Sequence, residues 1–136
     1  MRNCADIVMA IDPGHAKCGL AVVCRTSGVL YQAVVEASDI AAEASAIAGR
    51  FSPDLILVGN GTCSRDVARA VSEIGLGPVK VVPEEHTTIM ARRRYFREHP
   101  PRGLRRVIPW SLQIPCCPYD DYVAVILAEN YFESVL

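Results

Sequence analysis

The stretch Ile7-Val8-Met9-Ala10-Ile11-Asp12-Pro13-Gly14, continued by Cys18-Gly19-Leu20-Ala21-Val22-Val23, decides the fold. It reads as an apolar strand ending in a carboxylate, a tight turn, and a second apolar strand. An apolar run this short, bounded by Pro and Gly, fits a buried central strand better than a helix. Asp12 is the odd residue. A carboxylate at the end of a buried strand is costly unless it is paired or bound to a cation. Its other reading is a turn-forming Asp in Asp-Pro-Gly.

Working outward, Arg25-Thr26-Ser27-Gly28 is a turn, and a β-branched third strand follows over 29–35. These connections are too short for crossovers, so the first three strands form an antiparallel meander. Ser38 or Asp39 then caps a helix whose Ile40, Ala44, Ile47 and Phe51 recur at helical spacing. A fourth strand over 54–58 ends in Gly59-Asn60-Gly61. Thr62 or Ser64 opens a second helix, with Val67, Ala70, Val71 and Ile74 inward, and a fifth strand covers 79–82. The order β-β-β-α-β-α-β feeds a meander into two right-handed crossovers. The expected fold is α/β: a mixed five-stranded sheet, three strands antiparallel and then two parallel, with helices on both faces. A third helix runs from Thr87 or Thr88 to about Glu98. A last helix opens at Asp120 or Asp121, with Val123, Ile126, Leu127 and Tyr131 facing in.

The chain has 136 residues, 51% of them apolar, which suits one domain over 1–136 with a full core. Residues 99–119 carry five of the nine prolines and form a Pro/Arg-rich loop. A loop of that length in a compact domain is usually functional or disordered. Leu104, Val107, Ile108, Trp110, Leu112 and Ile114 are too apolar for a free linker. A homodimer contact, a lid and packed surface are the roles open to it. No apolar run reaches the roughly 20 residues of a membrane span, and the N-terminus lacks a signal-peptide core, so a soluble cytoplasmic protein is expected. None of the six cysteines forms a CxxC pair, and His15, His86 and His99 lie at no metal-finger spacing. Most of the cysteines read as small buried apolar residues in a reducing compartment. The adjacent Cys116-Cys117 pair is the one candidate for redox or metal chemistry.

Two other acidic positions share the topological logic of Asp12. Glu84-Glu85 follow the fifth strand, and Asp120-Asp121 open the last helix. Ligands of open α/β sheets bind outside the carboxyl ends of the parallel strands. Asp12 and Glu84 leave the sheet at that edge if strands one, four and five are parallel neighbours. Carboxylates brought together there repel one another unless a cation neutralises them. Hard oxygen ligands suit Mg²⁺ or Mn²⁺. The bland alternatives are a solvated turn for Glu84-Glu85 and helix capping for Asp120-Asp121.

These motifs resemble a known family. Ile11-Asp12-Pro13-Gly14-His15-Ala16-Lys17-Cys18-Gly19-Leu20-Ala21-Val22 resembles the first strand–turn–strand of RNase H-like nucleases of the RuvC/YqgF group. Val82-Pro83-Glu84-Glu85-His86-Thr87-Thr88 resembles the YqgF pattern of an acid followed by paired hydroxyls. Pro118-Tyr119-Asp120-Asp121-Tyr122-Val123-Ala124 resembles the last-helix motif. The resemblance implies an RNase H-like fold and metal-dependent cleavage of phosphodiesters in structured nucleic acid, either ribosomal RNA precursors or four-way DNA junctions. It implies Asp12, Glu84 and Asp121 as catalytic and metal-binding residues, with Glu85 and Asp120 as backups, and Mg²⁺ or Mn²⁺ as cofactor. Gly59-Asn60-Gly61 stands where junction resolvases carry a carboxylate, which shifts weight toward the YqgF branch.

The arginines are the second signal. Arg92, Arg93, Arg94, Arg97, Arg102, Arg105 and Arg106 make seven of the fourteen basic residues. With Tyr95, Phe96 and Trp110 nearby they suit a phosphate backbone and stacked bases. The net charge of −1 keeps any such patch local. The alternative function is a non-catalytic nucleic-acid-binding module on the same fold. His86 and Thr62 are weaker candidates for meeting a phosphate, and each also reads as a helix-start residue.

Overall fold

The computed structural model describes residues 6–61, 63–83, 97–98 and 120–134. In chain order the elements are β1 (Ile7–Asp12), β2 (Lys17–Cys24), β3 (Gly28–Glu36), α1 (Ile40–Phe51), β4 (Leu55–Gly59), α2 (Ser64–Ile74), β5 (Val79–Val82) and α3 (Asp120–Ser134). The strands form one sheet in the order β3-β2-β1-β4-β5. β1 pairs antiparallel with β2, and β2 with β3, while β1–β4 and β4–β5 are parallel. The expected meander and two crossovers are therefore present, and β1 is central. β1, β4 and β5 are parallel, so Asp12, Gly59 and Val82 leave the sheet at one edge.

Alternation along β1, β2 and β4 divides the core into two layers, and a bulge in the β2–β3 pairing shifts it in β3. Met9, Ile11, Cys18, Leu20, Val22, Ile56 and Val58 pack against α1 and α2 through Ile40, Ala44, Ile47, Val67 and Val71. Val8, Ala10, Ala21, Val23 and Leu57 pack against α3 through Ala124, Val125, Leu127, Ala128 and Phe132. Met9, Ile11, Leu20, Ile56 and Leu57 are fully enclosed. Truncating a side chain of that kind to Ala costs about 2–5 kcal/mol.

Several local expectations are corrected. A 3-10 turn over Ala37–Asp39 precedes α1; Asp39, one of the two expected caps, holds the N-cap position, but its side chain makes no capping hydrogen bond. The 3-10 turn carries the chain out of β3 without such a bond. The inward stripe of α2 is Val67, Ala68 and Val71, whereas Ile74 is exposed at the last turn. α2 opens at Ser64, one of the two residues expected there, and its N-cap is Cys63, in the left-handed region at φ 68°. The last helix, in contrast, buries Val123, Ile126 and Leu127 as expected, with Tyr131 partly buried, and its burial is complete from Tyr122 to Ala128. A helix apolar on all sides belongs to an interior, and its sequence period says little about which side faces the sheet. No helix among the described residues is long and apolar enough to cross a membrane.

The turn between β1 and β2 depends on Gly14. A Cβ built there would run into the carbonyl oxygen of Lys17. Only Gly lets the chain reverse so closely after Asp12. At the opposite edge of the sheet, Asp54 Oδ2 accepts hydrogen bonds from the backbone N–H groups of Asp6 (3.2 Å) and Ile7 (3.1 Å). Beside it Arg25 Nη2 meets Asp6 Oδ1 at 2.7 Å. This edge fixes where β1 begins relative to β4, and with it where β1 ends.

Candidate functional site

Asp12 ends β1 opposite Gly19 of β2 and is half-buried. By alternation it lies on the face of Val8 and Ala10, the one that α3 covers. The neighbouring rows of the sheet then place the other polar groups. Ala10 pairs with Ala21, and Ala21 pairs with Gln32 of β3. Gln32 shares this face, and its Nε2 donates to Asp121 Oδ2 at 2.9 Å. Strand spacing and rise per residue put the Cα atoms of Asp12 and Gln32 roughly 12 Å apart. Asp121 stands over Gln32, on the first turn of α3. The helix runs on across the sheet to β5, where Lys80 Nζ lies 5.6 Å from the centre of the Tyr131 ring.

The carboxylate of Asp121 does not cap its helix. One oxygen takes the Gln32 amide, and the other, Oδ1, is buried with no hydrogen-bond partner. A buried carboxylate oxygen without a donor is costly. Hard cations coordinate such oxygens, so the group fits a divalent-metal ligand. Among the described residues no three His, Cys, Asp or Glu side chains cluster closely enough to hold a metal ion. Glu84, Glu85 and the side chain of Asp120 lie outside the described residues. Asn60, at the end of β4, is exposed, and its N–H donates to the Val82 carbonyl at 2.9 Å. Gly59-Asn60-Gly61 therefore brings no carboxylate to this edge.

Gln32 and a second contact were not singled out from the sequence. Gln32 is the one polar side chain between Val29 and Val35, and that interruption of an apolar strand was its available signal. The second is Cys63 Sγ to His15 Nδ1 at 3.3 Å, which ties the β1–β2 turn to the start of α2. The two residues are 48 apart, and nothing local announces them. Cys63 thus departs from the buried apolar cysteine expected, as does Cys24, while Cys18 conforms. Cys24 lies at the opposite edge of the sheet. Hydrogen bonds from the Thr26 hydroxyl, then from the Ser27 and Thr26 N–H groups and the Ser27 hydroxyl, lower its thiol pKa from 9.0 to about 7. Of the arginine set only Arg97 is described, and it is exposed; Arg92, Arg93, Arg94, Arg102, Arg105 and Arg106 lie outside the described residues, as do Thr62, His86 and the Cys116-Cys117 pair. Adjacent to Arg97, Glu98 Oε1 accepts from the Tyr122 hydroxyl at 3.1 Å.

Solved structures share this arrangement. Thermus thermophilus RuvC superposes with a TM-score of 0.57 at 19% identity, covering 94% of both chains. The same protein in complex with a Holliday junction substrate gives 0.54, again at 19% identity over 94% of each. The chain has an RNase H-like fold. No family model matches the sequence, and no curated protein does. At this identity the likeness to RuvC covers the architecture alone: a mixed sheet with three antiparallel strands, two parallel strands and flanking helices.

Proposed function

We propose that this protein is a divalent-metal-dependent nuclease that cleaves phosphodiesters in structured nucleic acid. The observation that carries the reading is the buried, unpartnered Oδ1 of Asp121, on the same face of the sheet as Asp12. Asp12 and Asp121 would hold the cation, with Glu84 as third ligand from the chain leaving β5, and Glu85 and Asp120 as alternates. The cation, Mg²⁺ or Mn²⁺, would activate a water and stabilise the leaving oxygen. Asp12 supplies its carboxylate from the end of the central strand, where the Gly14 turn fixes it. Asp121 offers one oxygen, its other being held by Gln32. The arginines between 92 and 106 would bind phosphates along the strand.

RuvC bound to its Holliday junction supports nucleic acid as the partner. The missing carboxylate at Gly59-Asn60-Gly61 supports a YqgF-type site and favours ribosomal RNA precursors over junctions. Cleavage of structured RNA and of a four-way DNA junction, with Mg²⁺ or Mn²⁺, tests the reading. The expected result is metal-dependent cleavage that Asp12→Asn abolishes. Cleavage unchanged in Asp12→Asn contradicts it. Salt-sensitive binding without cleavage would establish the non-catalytic binding module in its place.

A further inference from the structure

The donor that holds Asp121 comes from a mostly apolar strand. Gln32 is half-buried in the edge strand β3, in the row Ala10–Ala21–Gln32, where its one sheet neighbour, Ala21, and Ala10 beyond it are fully enclosed. Beside the small Ala21, the long side chain at 32 reaches the first turn of α3. The contact is specific in direction. Gln32 Nε2 donates, Asp121 Oδ2 accepts at 2.9 Å, and Oδ1 is left buried and without a donor. A carboxylate held by one oxygen has its plane fixed and its second oxygen presented. Groups that orient metal ligands act in this way, and their loss lowers metal affinity about 10–100-fold.

We infer that Gln32 is a positioning residue, fixing the Asp121 carboxylate so that Oδ1 alone meets a divalent cation. The inference rests on the metal-site reading above. Its competitor is a purely structural role, in which the hydrogen bond only pins the start of α3 to the edge strand. The two differ in what they move. A pin sets the melting temperature of the metal-free protein. A positioning group sets the affinity for the cation.

The test is Mn²⁺ titration of the full chain, reading free Mn²⁺ by electron paramagnetic resonance, with melting temperature in chelator measured alongside. Gln32→Met keeps the length of the side chain and removes the donor. Gln32→Asn keeps a donor but draws it back by one methylene, and serves if the Met variant fails to fold. Either variant is expected to weaken Mn²⁺ binding about 10–100-fold. Neither should weaken it further in an Asp121→Asn background, where the carboxylate to be positioned is gone. The metal concentration for half-maximal cleavage should rise by a similar factor, with the rate at saturating metal nearly kept. A lowered melting temperature with unchanged Mn²⁺ affinity overturns the positioning role. Failure of the wild-type protein to bind Mn²⁺ through Asp12 and Asp121 overturns the metal site itself, and the inference falls with it.

Discussion

Asp54, at the edge where β1 begins, and Asp121, on the helix that covers one face of the sheet, are used in opposite ways. Asp54 precedes β4, and one of its oxygens accepts two backbone N–H groups at the start of β1. Its neighbour Asp6 is paired with Arg25. These carboxylates have donors from the chain itself, and their role ends with the register they set. Asp121 has one donor, from a side chain, and a second oxygen that is buried without any. An acid that serves the fold is surrounded by the fold's own N–H groups. An acid short of a donor in the interior is costly to keep, and in the proposed reading a cation would supply what the chain does not.

The contrast can be broken by substitution at each site. The largest expected effect is on chemistry. Asp12→Asn should reduce metal-dependent cleavage by about a thousandfold or more, a barrier increase of about 4 kcal/mol, read in single-turnover kinetics. Asp121→Asn should cost about a hundredfold in the same assay, while thermal stability in chelator is held or raised, because the unpartnered buried oxygen gains a neutral substitute. Asp54→Ala should do the reverse. It removes two hydrogen bonds to a charged acceptor and should lower stability by about 1–2 kcal/mol in urea melts, with cleavage per folded molecule unchanged. If Asp54→Ala and Asp121→Asn affect both quantities alike, the two acids do not differ in kind.

Gly14→Ala tests whether the turn positions Asp12. The added Cβ meets the Lys17 carbonyl, so the backbone after β1 must shift. A loss of about 1–3 kcal/mol is expected from urea melts, with a disproportionate fall in metal affinity. The smallest effect concerns the N-terminal edge alone. Cys24 has its pKa lowered to about 7 because hydroxyl and N–H donors stabilise its thiolate. Its alkylation rate should rise with pH and level off above about 7, where an ordinary thiol is still mostly protonated. Thr26→Ala should move that midpoint upward, since the Thr26 hydroxyl is the leading cause of the shift. Because the folded thiol has the lower pKa, the linked stability is full at high pH. It is lost as pH falls through about 7.

Much of the fold was legible because it follows from lengths and periods. Connections too short for a crossover forced the meander, and two helix-length segments between strands forced parallel neighbours. Asp12 was legible for a related reason, as the polar end of an apolar run. What the sequence did not disclose is non-local. Gln32 meets Asp121 across 89 positions, and Cys63 meets His15 across 48. Neither contact has a local signature, since hydrogen bonds between strands and distant helices are set by packing. The inward residues of α3, Val123, Ile126 and Leu127, were legible from their helical spacing, whereas the full burial from Tyr122 to Ala128 was not. The choice between Glu84 and Glu85 rests on sequence, as does the arginine surface apart from Arg97, both lying outside the described residues.

The most direct measurement is a crystal structure of the protein grown with Mn²⁺, with anomalous scattering recorded to locate the metal. The expected result is a peak bonded to Asp121 Oδ1 and to the Asp12 carboxylate at about 2.2 Å, the reach of hard-cation oxygen ligation. Gln32 would still hold Asp121 Oδ2. A Mn²⁺ peak at other residues, or none near Asp121 at saturating metal, would contradict a cation site built on these two acids.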